Sequence, residues 1–262
     1  EVGSFVPKSL IPQLADTAEI VKYAITIPNL TVAALVPNLK GAINAIKSGA
    51  HKISIPFSTS ETHSIKNVNK NHKQMIEEIK KISDYILENN HNTHLEVAVA
   101  TAFGCSIIGE IPEDLVISLA EQIMKAGSKE IVLSDTTGYG DPSKVRKLVR
   151  KLKATIGDNK LNSIHLHNTR GLGLANAFAA IEEGITTIDS SISGIGGCPF
   201  APGASGNIVT EDLVFMLDAM GFDTGIDLNK LFSIRDILSK ALPDEPLYGY
   251  TANAGLPLGY KH

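Results

Sequence analysis

Two histidines one residue apart, His165 and His167 in Ile-His-Leu-His-Asn-Thr-Arg-Gly, carry the strongest chemical signal in the chain. The stretch around them reads as a strand, and side chains at i and i+2 of a strand share a face. Two imidazoles then aim together from one strand end, as a rigid scaffold does when it offers two nitrogen ligands to a divalent metal. The alternative is a pair of strand histidines satisfied by hydrogen bonds. About one βα unit later comes a glycine-rich loop, Ser193-Gly-Ile-Gly-Gly-Cys-Pro-Phe-Ala-Pro-Gly-Ala-Ser-Gly-Asn207. It ends in Asn207, whose amide oxygen could be a third ligand; a turn residue or a helix N-cap before Thr210 is the competing reading. Mixed nitrogen and oxygen ligation suits Mg²⁺, Mn²⁺, Co²⁺ or Zn²⁺, and ligand softness alone does not choose among them.

The same loop holds Cys198, one of two cysteines in the chain. A lone cysteine is usually inert and buried. One flanked by glycines and a proline is expected on a partly exposed loop, where it can act as a general acid or base. Gly196 and Gly197 beside it are assigned to substrate binding. Asp135, before Thr136-Thr-Gly-Tyr-Gly, is either a substrate-orienting acid or a turn former, and Glu1 has the same two readings. Arg170 is a candidate anion contact or a surface residue. His51, His63, His72, His91, His94 and His262 lack ligand spacing and read as surface or core. Cys105 reads as structural.

These residues need a scaffold. The chain has 262 residues, 43% hydrophobic and 20% charged, as in one large globular α/β domain. A net charge of −4 and a pI near 6.1 give no surface for nucleic acid or anionic membrane. No apolar run reaches the roughly 20 residues that span a bilayer. Two cysteines are too few for a disulfide framework, so a reducing compartment is expected.

Apolar runs at 1–6, 31–36, 52–57, 95–100, 130–133, 163–167 and 187–192 read as seven strands. Helical periodicity fills 39–48, 71–90, 112–126, 142–156, 173–183 and 210–220. Continuous apolar strands alternating with helices predict a parallel sheet. The expected fold is a (β/α)8 TIM barrel whose first βα unit is absent from the sequence, followed by a helical extension over 221–262. A doubly wound open sheet is the alternative, but no glycine fingerprint follows an early strand. No linker is visible, so 1–262 reads as a single domain, with barrel units in 1–220. The candidate residues fall at C-terminal strand ends, where a barrel gathers its chemistry.

With these residues placed, the chain closely resembles the 3-hydroxy-3-methylglutaryl-coenzyme A lyases of the DRE-TIM metallolyase group. The likeness runs nearly end to end. It includes Glu1-Val-Gly-Ser-Phe-Val-Pro-Lys, Pro37-Asn-Leu-Lys-Gly, Ser134-Asp-Thr-Thr-Gly, His165-Leu-His and the whole loop through Asn207. The resemblance implies that His165, His167 and Asn207 are metal ligands for Mg²⁺ or Mn²⁺. It implies that Cys198 is a mobile-loop catalytic cysteine, and that Glu1 and Asp135 are acidic active-site residues. The activity implied is metal-dependent retro-Claisen cleavage of a 3-hydroxy-3-methylglutaryl thioester to acetyl-CoA and acetoacetate, with His165 or a group beside it as base. A homodimer is implied, cytoplasmic, or in the mitochondrial matrix if eukaryotic. Two departures stand out. The family's first-strand Arg-Asp pair has no counterpart here, and Asn168 stands where many members have aspartate. A citramalyl-CoA-type lyase would share every motif, and an inactive fragment would follow if the Arg-Asp pair is truly missing. An acyl-transferring synthase would add a regulatory domain. A zinc amidohydrolase would carry its HxH on the first strand.

Overall fold

The computed structural model describes residues 1–197 and 206–260. Its sheet has six parallel strands in the order of the sequence: β1 (Ala33–Leu35), β2 (Lys52–Ser58), β3 (His94–Ala100), β4 (Glu130–Asp135), β5 (Ser163–Leu166) and β6 (Thr187–Asp189). The helices are α1 (Thr17–Ala24), α2 (Leu39–Ser48), α3 (Glu61–Val68), α4 (His72–Glu88), α5 (Glu113–Lys125), α6 (Pro142–Ile156), α7 (Gly173–Glu182), α8 (Thr210–Ala219), α9 (Leu228–Ala241) and α10 (Tyr250–Ala254). Each strand lies beside its predecessor, which is the winding of a barrel. A doubly wound sheet reverses its order at a switch point, and this one does not.

The strand expected at 1–6 is reduced to an isolated bridge between Ser4 and Leu35. Val2 donates to Ala33 O at 2.9 Å, Leu35 to Gly3 O at 3.0 Å and Phe5 to Leu35 O at 2.9 Å. The segment therefore runs parallel to β1 in the expected place. Pro7 has no N–H with which to extend the ladder.

The strands are not apolar throughout, as the sequence reading had them. Ile53, Ile55 and Phe57 of β2, Val97 and Val99 of β3, and Ile131 and Leu133 of β4 are fully buried. The register puts Ile53 beside Leu95 and Val97 beside Ile131, so they form one apolar face under the helices. Each such side chain contributes about 1.5–3 kcal/mol by burial. The other face is polar: Ser54 pairs in register with Glu96, Glu96 with Glu130, and Ser134 with His165. Across it Lys52 forms an ion pair with Glu96, and Ser163 Oγ donates to Glu130 at 2.6 Å.

Helix ends follow local chemistry. Asn38 caps α2 by accepting from Gly41 N, and Gly49 closes it at φ 95°, a left-handed conformation that costs an L-residue energy. Asp141 caps α6, with Pro142 at its first position. Beyond α8 lie α9 and α10, and Val214, Leu228 and Leu231 form a second small cluster against Ile192, Phe215 and Phe232.

Candidate active site

β5 brings the two histidines together. His165 Nε2 and His167 Nε2 lie 3.1 Å apart, with ring planes inclined at 59°. His165 Nδ1 lies 3.1 Å from Asp189 Oδ2 at the end of β6. A carboxylate there holds the proton on Nδ1 and leaves the Nε2 lone pair facing His167. The backbone of His167 is bridged to Asn207, antiparallel. Asn207 is not an N-cap: α8 begins after Val209, which makes no side-chain cap. Its Nδ2 donates to Ile195 O at 3.2 Å, which fixes the amide's orientation. Its Oδ1 is buried and has no hydrogen-bond partner among the described residues. A buried orphan acceptor is costly, at about 1–3 kcal/mol. Two converging imidazole nitrogens, with the residue that carries this oxygen bridged to His167 through the backbone, are a donor set that fits a divalent cation. Among the described residues no group of three His, Cys, Asp or Glu side chains is placed to hold a metal; the third donor here is an amide.

The turn around Asn207 tolerates no side chains. A Cβ on Gly206 would lie 1.8 Å from Gly194 O, and one on Gly196 would lie 2.9 Å from Asn207 Nδ2. Gly196 and Gly197 are exposed at the loop root. Cys198 lies outside the described residues.

Asp135 is fully buried at the end of β4. Its two oxygens accept from Tyr139 N and Gly140 N, both at 2.9 Å. Burial raises its carboxyl pKa, and the two loop amides oppose the rise. It shapes the loop after β4, and its oxygens face amides of its own loop. Arg170 is tied to that loop too: Nη1 donates to Thr137 O at 3.0 Å and Gly138 O at 2.9 Å, and Cζ sits 4.6 Å over the Tyr139 ring. Asn168 Oδ1 accepts from Gly173 N at the start of α7, and its own N–H reaches Gly206 O. Glu1 is exposed as a residue, yet protein atoms crowd its carboxyl. That desolvation raises its pKa to about 6, Asp189 and Glu96 add to it, and His165 opposes it.

Several features of the site have no local signal in the sequence. Asp189 stood at a strand end, but nothing local said that it would meet His165. Glu211, fully buried in the first turn of α8, reads in sequence as an ordinary acidic helix start. A cavity of about 440 Å³ between α1 and α2, away from the histidines, is lined by Lys8, Lys22, Lys40 and Lys47. Lysines scattered over two helices and a loop leave no local pattern. Cys105 is buried, as expected of a structural cysteine. His63 is buried against Ser58 Oγ at 2.7 Å, and His72 stacks on Phe57.

A parallel sheet wound in sequence order, with its polar histidine pair at a C-terminal strand end, defines a TIM-barrel enzyme of the α/β class. The HMGL-like family model matches residues 6–238, and the chain belongs to that family. It is 38% identical over 251 residues to hydroxymethylglutaryl-CoA lyase YngG of Bacillus subtilis, covering 94% of this chain and 83% of that protein. It is 37% identical to the cytoplasmic 3-hydroxy-3-methylglutaryl-CoA lyase of Rattus norvegicus, covering 92% of this chain and 70% of that one. An HMG-CoA lyase structure from Acinetobacter baumannii, in complex with coenzyme A and 3-methylmalate, superposes with a TM-score of 0.91 at 38% identity, covering 99% of this chain and 84% of that one. The carboxyl transferase domain of Rhizobium etli pyruvate carboxylase shares the fold, with a TM-score of 0.64 at 18% identity.

Proposed function

We propose that this protein is a carbon–carbon lyase that cleaves 3-hydroxy-3-methylglutaryl-CoA to acetyl-CoA and acetoacetate. The observation that carries the reading is the 3.1 Å convergence of His165 Nε2 and His167 Nε2, with Asn207, whose Oδ1 has no partner among the described residues, bridged to His167. His165, His167 and Asn207 would hold Mg²⁺ or Mn²⁺, which when bound supplies Lewis acidity toward the substrate's tertiary hydroxyl. Asp189 orients His165 for that role.

Both ring nitrogens of His165 are engaged, one with Asp189 and one facing His167, so the base falls to the group beside it. Glu1, with a pKa near 6, is suited to take the hydroxyl proton at neutral pH. Cleavage of the C–C bond then releases acetoacetate and leaves the thioester enolate. The Cys198 thiol gives its proton to the enolate carbon, and Gly196 and Gly197 let the substrate approach the loop backbone. Asp135 and Arg170 hold the β4 loop in shape.

Coenzyme A also carries phosphates. None of the four lysines between α1 and α2 has an ion-pair partner among the described residues, and their groove opens at Ser4, three residues beyond Glu1. That is about 10 Å of extended chain, so the pantetheine arm can link the groove to the histidines. The relatives include proteins named as cytoplasmic and as mitochondrial; the reading places this one in the cytoplasm as a homodimer.

The test is acetoacetate release from 3-hydroxy-3-methylglutaryl-CoA after chelation, and again after adding Mg²⁺ or Mn²⁺. Release that is lost and then restored supports the reading. No release with either metal overturns it. Cys198→Ser should keep Mn²⁺ affinity and lose about 100-fold or more in turnover.

A further inference from the structure

The base of the glycine-rich loop is held from an unexpected direction. Ser193 has φ 57°, left-handed for a non-glycine residue, and is fully buried. Its N–H donates to both oxygens of Glu211, at 3.2 and 3.0 Å. Glu211 has no exposed surface, and a carboxylate so placed is tolerated only when paired. Its partner is Arg235 of α9, whose Nη1 lies 2.8 Å from Glu211 Oε1 and 2.6 Å from Tyr248 O. Tyr248 N donates back to Ser193 O at 2.9 Å. One guanidinium thus ties together α8, α9, the segment before α10 and the loop base.

The tie leads to the histidines. Two residues beyond Ser193, Ile195 O accepts from Asn207 Nδ2 and from Ser191 Oγ. That bond turns Asn207 Oδ1 away from Ile195 and leaves it without a partner. Gly194 and Gly206 pack in direct backbone contact between the two ends of the loop. A shift of Ser193 therefore moves the carbonyl that orients the asparagine.

We propose that Arg235 is a positioning residue. Acting through Glu211 and Ser193, it fixes Ile195 O and so aims the Asn207 amide oxygen at the divalent-cation site formed with His165 and His167. This rests on the metal reading given above. It assigns to the C-terminal extension a share in cation affinity, exerted through Glu211 and Ser193.

The experiment is Mn²⁺ calorimetry on the full chain and on Arg235→Met, Arg235→Lys and Lys230→Met. It is run at a temperature where circular dichroism shows every variant folded. Lys230 lies on the same helix in an exposed pair with Asp227 and controls for general loosening of the extension. Loss of a group that orients a metal ligand weakens affinity about 10–100-fold. The expected result is a loss near 10-fold in Arg235→Met, most of it restored in Arg235→Lys, and none in Lys230→Met. If Arg235→Met does not fold, Arg235→Lys carries the test. Its single ammonium replaces a planar fork, and a loss of about 2–3-fold is expected. Unchanged affinity in a folded Arg235 variant overturns the inference while leaving the lyase reading intact. A lower melting temperature with unchanged affinity does the same. A wild-type protein that binds no Mn²⁺ overturns the metal reading, and the inference with it.

Discussion

Adding one methyl group at Gly206 tests the site at its tightest point. An ideal Cβ there falls 1.8 Å from Gly194 O and 2.9 Å from Gly196 O. Real Cβ contacts essentially never fall below 3.0 Å, so the two ends of the loop must part by about 1.2 Å. Neither blocking atom is the end of a flexible side chain; both are backbone. Asn207 is the next residue, and Asn168 N also bonds to Gly206 O, so the movement passes to the amide beside the histidine pair. A misplacement of about 1 Å costs about 100-fold in rate, or about 2.7 kcal/mol of transition-state stabilisation. Overpacking adds about 1–3 kcal/mol of destabilisation. Gly206→Ala should therefore lose Mn²⁺ affinity and about 100-fold in kcat/KM for 3-hydroxy-3-methylglutaryl-CoA, and melt earlier. Gly221→Ala is the comparison: φ is 86° there, but nothing lies within 4 Å of the added carbon. It should lose stability alone, about 1 kcal/mol. The assays are calorimetric metal titration, acetoacetate release and thermal denaturation. A Gly206→Ala protein with wild-type affinity and turnover would refute the reasoning, because the geometry leaves no room for the methyl group without movement of Asn207.

Two further outcomes follow from the polar face and the basic groove. Glu130 is held at a pKa of about 2 by His94 first and then by Ser163, against the cost of burial. His94 Nε2 lies 3.2 Å from Glu130 Oε2, close enough to pair electrostatically although its angle misses a good hydrogen bond. A depressed carboxyl stabilises the fold above its unfolded pKa, near 4.5, and loses that contribution as pH falls toward 2. Glu130→Gln should thus be less stable at pH 7 by about 1–2 kcal/mol after solvent screening, and the gap should close between pH 5 and 2 in urea denaturation; a pH-independent gap contradicts the assignment. Reversing charge in the groove with Lys22→Glu and Lys47→Glu together should raise KM for the coenzyme A thioester about 10-fold at low salt, less at high salt. KM for a pantetheine thioester without phosphates should stay constant, and an equal rise for both thioesters removes the groove from phosphate binding.

Much of the architecture was legible in the sequence, because periodicity and punctuation agreed. The spans 39–48 and 142–156 appear unchanged as α2 and α6, where Asn38, Gly49, Asp141 and Pro142 mark the ends. α3 is absent from the helices that periodicity predicts. Its buried residues are His63 and Ser64, so its inward face carries no apolar signal. The polar side of the sheet was hidden for a related reason: single polar residues within runs of valine and isoleucine look like noise until the register aligns Ser54 with Glu96 and Glu130. At the site, the histidine spacing gave the convergence directly, since a strand's period is fixed. The partners of those residues lie on other elements. Asp189 reaches His165 across 24 positions and Arg235 reaches Glu211 across the same distance in the chain. No local rule foresees such meetings. Asp135 sat where expected, and only the three-dimensional path of its own loop revealed that its oxygens face the amides of Tyr139 and Gly140.

The sequential strand order has a consequence for how the molecule comes into being. Translation delivers the amino-terminal end first, at about 5–20 residues per second. Each strand finds its neighbour already made, so the sheet can assemble in step with the ribosome through short-range contacts. The loop base obeys a different clock. Ser193 waits for Tyr248, and Asp212 for the backbone N–H groups of Tyr250 and Thr251. A nascent chain therefore displays its histidines well before the groups that finish the surrounding cage exist. The barrel strands are thus complete before Arg235 and Tyr248 arrive to brace the loop base.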